Sequence, residues 1–171
     1  MTTSILGDAF AHHVWATERL IDACSALTSE QLTTPAPGTY GPILATLRHL
    51  VGSDRWYLSF FGGAPIAPGD EEIETTLAEL RSMITGNGAA WSELLAGKID
   101  PDADVVEHSD EGWEFHARTS IRFAQVIHHG SDHRSQVCTA LSSLGLTPPG
   151  IGVWDFAVAT GRAWEVAAPA R

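Results

Sequence analysis

His129 and His133 stand four residues apart, and His49 lies far upstream of both. On an α-helix an i, i+4 pair diverges by only about 40° and is one turn apart, so both imidazoles project on one side. Two such side chains can reach a single cation at about 2.0–2.1 Å from each ring nitrogen. Three neutral imidazoles suit zinc, nickel, iron(II) or cobalt, and they leave positions open for water or a thiolate. An open position marks a catalytic rather than a structural metal. The expected chemistry is therefore metal-assisted activation of a small nucleophile, with His49, His129 and His133 as ligands.

Competing arrangements rank lower. His128 diverges from His133 by about 140° and shares a solvated side with Ser131, Ser135 and Thr139. His128 and Asp132 form a second i, i+4 pair, but Asp132 is better placed as an outer partner that orients a ligand imidazole. An isolated HxxxH is most often a pair of surface histidines. His49, on a mostly apolar segment beside Ala45 and Gly52, shifts the balance towards a ligand set. HGSDH has zincin spacing, yet Gly130 stands where HExxH carries its general base. The chain has no Glu-x-x-His, so a carboxylate-bridged di-iron bundle is excluded.

Helices must position these residues. Leu6, Phe10, His13, Thr17, Leu20, Cys24 and Leu27 hold a 4-3-4-3 spacing, which predicts a first amphipathic helix over Leu6–Leu27. Pro35-Ala36-Pro37-Gly38 then enforces a loop. A second helix runs from Pro42, as a first-turn residue, to Phe61, and is largely apolar apart from Arg48, Arg55 and Ser59. A third spans Glu72–Ala96, with Gly86 and Gly88 weakening its middle and leaving room for a kink. Residues 105–108 and 113–116 read as a β-hairpin. A fourth helix follows over Thr119–Leu144, with Gly145 as its left-handed cap, and a short one over 153–159 closes the domain. The fold class is all-α: a single domain over residues 1–171, built as a four-helix bundle with a hairpin before the fourth helix.

Composition agrees. A hydrophobic content of 44% in 171 residues suffices for one core. A net charge of -11 without a basic cluster argues against nucleic acid and anionic membrane surfaces. No apolar run nears the roughly 20 residues of a membrane span, and the N-terminus lacks a signal-peptide pattern. Cys24 and Cys138 read as reduced core residues, and the expected location is the cytoplasm.

Other polar residues have structural readings first. His13, on the core seam, reads as a hydrogen-bonded core histidine ahead of a pocket acid-base or a further ligand. Asp54 projects into the apolar side of its helix and needs a partner. Arg134 reads as a surface arginine paired to an acid ahead of an anchor for an anionic substrate. Asn87 sets register or faces a pocket, and His108 and His116 lie on the surface. The C-terminal aromatics Trp154, Phe156 and Trp164 pack back on the bundle or form a dimer contact.

Thr46-Leu47-Arg48-His49-Leu50, His129-Gly130-Ser131-Asp132-His133-Arg134-Ser135-Gln136 and Leu144-Gly145-Leu146-Thr147-Pro148-Pro149 together resemble the DinB/YfiT-like superfamily in order and separation. Asp132 stands where many members have another histidine, and Ser135 replaces the usual glycine. The resemblance implies one divalent metal on His49, His129 and His133, often in a homodimer. It further implies use of a low-molecular-weight thiol such as mycothiol, bacillithiol or glutathione, in S-transfer or maleylpyruvate isomerisation. Trp15, Trp56 and Phe60 would then line the acceptor pocket. Hydrolysis by water, and a metal-binding stress protein without turnover, are the alternatives.

Overall fold

The computed structural model describes residues 4–63, 74–109 and 111–167. Helix α1 (Ile5–Cys24) starts where the Ser4 hydroxyl accepts the Gly7 N–H at 2.9 Å. It ends three residues before the expected Leu27. Thr28 opens a separate short helix α2 (Ser29–Thr33), through a capping box in which Thr28 and Gln31 cap one another. That T-x-x-Q was present in the sequence but lay hidden behind the run of apolar spacing.

Helix α3 (Ile43–Ser59) begins one residue later than expected, with Pro42 as its N-cap. Helix α4 (Leu77–Ala96) starts at a Thr76–Glu79 capping box. The described residues just before it, 74–76, are not helical, and the Glu72 start proposed above lies outside the described residues. The helical hydrogen bonding of α4 runs on through Gly86 and Gly88. A Cβ on Gly88 would stand 2.9 Å from Val14 Cγ1, so this glycine admits close approach of α1. Strands β1 (Asp104–His108) and β2 (Glu114–Arg118) pair antiparallel, with Val106 opposite His116. Trp113 falls in the turn, and β2 leads directly into α5 (Thr119–Ser143). Gly145, at φ 76°, terminates α5 as expected, and α6 (Val153–Ala159) follows.

Helices α1 and α3 each pack on both α4 and α5, which puts α1 and α3 at opposite corners of the bundle. The core has two apolar ends. One gathers Leu20, Ile21, Leu47, Val51, Ile84 and Val137; the other gathers Phe10, Tyr57, Trp91, Phe123 and Val126. Between them, on each of the four bundle helices α1, α3, α4 and α5, lie buried polar residues: His13 and Thr17, Asp54, Asn87, and Arg134. Asn87 satisfies its amide on the Val51 carbonyl at 3.1 Å. Both cysteines are free, and burial pushes the Cys24 thiol up to about 12. Among the described residues no helix is long and apolar enough to cross a membrane.

Candidate metal centre

The three predicted histidines converge. His49 comes from α3 and His129 and His133 from α5, and one ring nitrogen of each lies within 4.8 Å of the others. The Nε2 atoms of His49 and His129 are 3.0 Å apart. Two nitrogens bound to one ion at 2.0–2.1 Å are separated by about 2.9–3.4 Å for angles near 90–110°. The observed spacing therefore fits a shared cation. Among the described residues, no other group of three His, Cys, Asp or Glu side chains gathers in this way.

Electrostatics favours the ligating form. Burial, reinforced by His133 and His49, pushes His129 down to about 4, with Asp54 opposing weakly. A neutral imidazole keeps a lone pair for metal. Gln136, one turn beyond His133, faces its Nδ1 at 3.2 Å through Oε1. With the Nδ1–H donating there, the tautomer leaves Nε2 as the available ligand atom. The same oxygen accepts the Tyr40 N–H at 2.8 Å, and the Gln136 amide donates to Asp132 Oδ2 at 3.3 Å. Gln136 is thus the residue that orients a ligand ring; exposed Asp132 acts on Gln136, one step further out than expected.

Tyr40 was absent from the sequence reading. Its ring stacks on His49 at 4.3 Å and 15°, and meets His133 edge-on at 5.2 Å. Tyr57 approaches His129 at 6.1 Å. The sequence signal for Tyr40 is no more than an aromatic three residues before the start of α3, in a Pro- and Gly-rich loop. Trp56 packs on Tyr57 and Phe60, each at 4.9 Å, and Phe60 lies 4.4 Å from the Arg122 guanidinium. Trp56 thus stands between Tyr57 and Phe60. Trp15 packs on Phe156 at 5.6 Å and lines grooves that α1 forms with α4 and α6.

Arg134, expected as a surface arginine, is instead buried. Its Nη1 donates to His13 Nδ1 at 2.9 Å and to Thr17 Oγ1 at 3.3 Å. A guanidinium only donates, so Nδ1 is the acceptor, and His13 Nε2–H donates to Asp54 at 2.9 and 3.1 Å. Burial pulls Arg134 down to about 10, which leaves it charged at neutral pH. His13 is therefore the hydrogen-bonded core histidine, and Asp54 has found its partner. Gly130 lies directly against this ring. A Cβ there would overlap His13 Cε1 and Nδ1 and stand 2.8 Å from Arg134 Nη1. Packing on α1 accounts for glycine where a zincin has glutamate. His128 is exposed, as are His108 and His116, which pair with Glu114 and with Asp104 and Glu114.

A four-helix bundle with three histidines converging between two of its helices defines the class. The chain belongs to the DinB family, whose sequence profile matches residues 1–166. Its fold is shared with a DinB-like protein from Bacillus cereus ATCC 10987, at 23% identity and a TM-score of 0.63 over 88% of this chain and 99% of that one. It is also shared with YfiT from Bacillus subtilis, described as a probable metal-dependent hydrolase with an unusual four-helix bundle topology. That likeness has 15% identity and a TM-score of 0.61, covering 86% of this chain and 91% of YfiT. Among curated proteins none matches.

Proposed function

We propose that this protein is a divalent-metal-dependent enzyme that uses a low-molecular-weight thiol to attack a small electrophile, as an S-transferase or isomerase. The observation that carries the reading is the convergence of three ring nitrogens within 4.8 Å, with His129 held neutral by burial. His49, His129 and His133 would hold zinc, nickel, iron or cobalt. A divalent ion there supplies Lewis acidity, which lowers the pKa of a sulfur or water presented to it. The protein's own part is to orient His133 through Gln136 and to flank the histidines with Tyr40 and Tyr57. Trp56, packed on Tyr57, and Phe60, packed on Trp56, favour an apolar acceptor. Both cysteines have thiols raised by burial, so the nucleophile is a cofactor rather than the chain itself.

The test is conversion of a chlorobimane by the metal-loaded protein with mycothiol, bacillithiol or glutathione in turn. Thiol-dependent turnover that disappears in His49→Ala supports the reading. Turnover of esters or amides without any thiol would favour hydrolysis instead, the second reading, which the description of YfiT motivates. We further assign the protein to the cytoplasm, where small thiols are abundant and its free cysteines stay reduced. A homodimer is supported by Trp154 and Trp164, which are 80% and 76% exposed. Sedimentation at micromolar concentration tests it.

A further inference from the structure

We infer that His13, bridged to Asp54 and Arg134, is a positioning unit that fixes the rotation of α5 against α3, so that His129 and His133 face His49. The inference rests on the metal reading above and adds what holds the ligands in place.

The triad draws one residue from each of α1, α3 and α5. It occupies the polar layer between the two apolar ends of the core. Apolar packing tolerates rearrangement at roughly constant volume, so it defines the separation of helices better than their rotation. Directional hydrogen bonds do define rotation. His13 has both nitrogens engaged, Nε2 on Asp54 and Nδ1 on Arg134, and the chain of carboxylate, neutral imidazole and guanidinium carries no net charge. Buried ionic networks contribute little net stability compared with apolar replacements, and their best-attested role is to specify register.

The contact point on α5 is informative. The His13 ring lies on Gly130, between the two ligands, and Arg134 directly follows His133. A rotation of α5 by one residue, about 100°, would carry both ligand imidazoles away from His49. None of the three triad residues touches solvent appreciably, so none is placed to meet a substrate.

Gly130→Ala tests this without altering a ligand or a triad member, since its methyl group must push α5 away from His13. Cobalt(II) affinity by chelator competition, the cobalt d–d spectrum and far-UV circular dichroism are measured together. The expected result is retained helicity, an affinity at least about tenfold weaker and an altered d–d band. His13→Gln, whose amide can donate to Asp54 and accept from Arg134, should bind close to wild type. His13→Asn, too short to span both partners, should lose affinity as Gly130→Ala does. Wild-type affinity and spectrum in a folded Gly130→Ala would overturn the proposal. If that variant does not fold, equal affinities of His13→Gln and His13→Asn would overturn it. A wild type that takes up no cobalt overturns the metal reading together with this one; unaffected variants of a cobalt-binding wild type overturn this one alone.

Discussion

The Nε2 atoms of His49 and His129 meet at 3.0 Å across the α3–α5 groove. Without a cation, one of these nitrogens must carry a proton and the other a lone pair. With a cation, both can present lone pairs. The same geometry therefore serves a hydrogen bond or a shared ion, and binding an ion moves the bridging proton to the other nitrogen of its ring. Metal affinity should weaken as pH falls, because a protonated imidazole has no lone pair to offer and must lose its proton to bind.

Acid should destabilise the metal-free protein through the same residues. His129 sits at about 4 in the fold against 6.5 as a free side chain, and His12 is also lowered by burial. Between these values the unfolded chain binds more protons, so this contribution is present above pH 6.5 and is lost as pH falls towards 4. The thermal midpoint of chelator-treated protein should drop across that window. His129→Gln should show a shallower dependence; an unchanged slope contradicts the assignment.

Removing the partner of a buried charge is costly. Asp54→Ala leaves Arg134 and His13 in the core without their carboxylate, and should lower the unfolding free energy by about 3–5 kcal/mol. Urea denaturation of the metal-free variant measures this. A loss under about 1 kcal/mol, the scale of an exposed pair, would mean that the triad is solvated.

Gln136→Ala removes the acceptor that fixes the His133 tautomer and the anchor of the Tyr40 backbone. Zinc affinity should fall by about 10- to 100-fold, while helicity stays unchanged. Competition with a chromophoric chelator gives the number. Asp132→Ala, one step further from the ring, should have the smaller effect.

Burial that holds Cys24 at about 12 should leave it unalkylated by iodoacetamide at pH 8 in the native state. Intact-protein mass spectrometry reads the result, and rapid labelling that mapped to Cys24 would show an opened core.

The bundle, the hairpin and the three converging histidines were legible in the sequence: the helices through 4-3 apolar spacing, the pair on α5 through its i, i+4 separation, and His49 through its place on a mostly apolar helix. What escaped depends on contacts between helices. Arg134 looked like a surface residue because its neighbours on the helix are polar; only its approach to His13, 121 positions away, shows it buried. Gly130 looked like a missing general base, and its reason is a ring on another helix. Tyr40 carries no periodic signal, since it sits in a loop and is held by a side chain of α5. The early end of α1 was missed for the opposite reason: continuous apolar spacing masked the capping box at Thr28.

Metal content tests the central claim most directly. Tag-free protein, purified without chelator and reconstituted with zinc or nickel, is analysed for its elements beside His129→Ala, with circular dichroism as a check on the fold. About one bound ion per chain is expected in the parent and none in the folded variant. No ion in the reconstituted parent, or equal content in both, would contradict the claim.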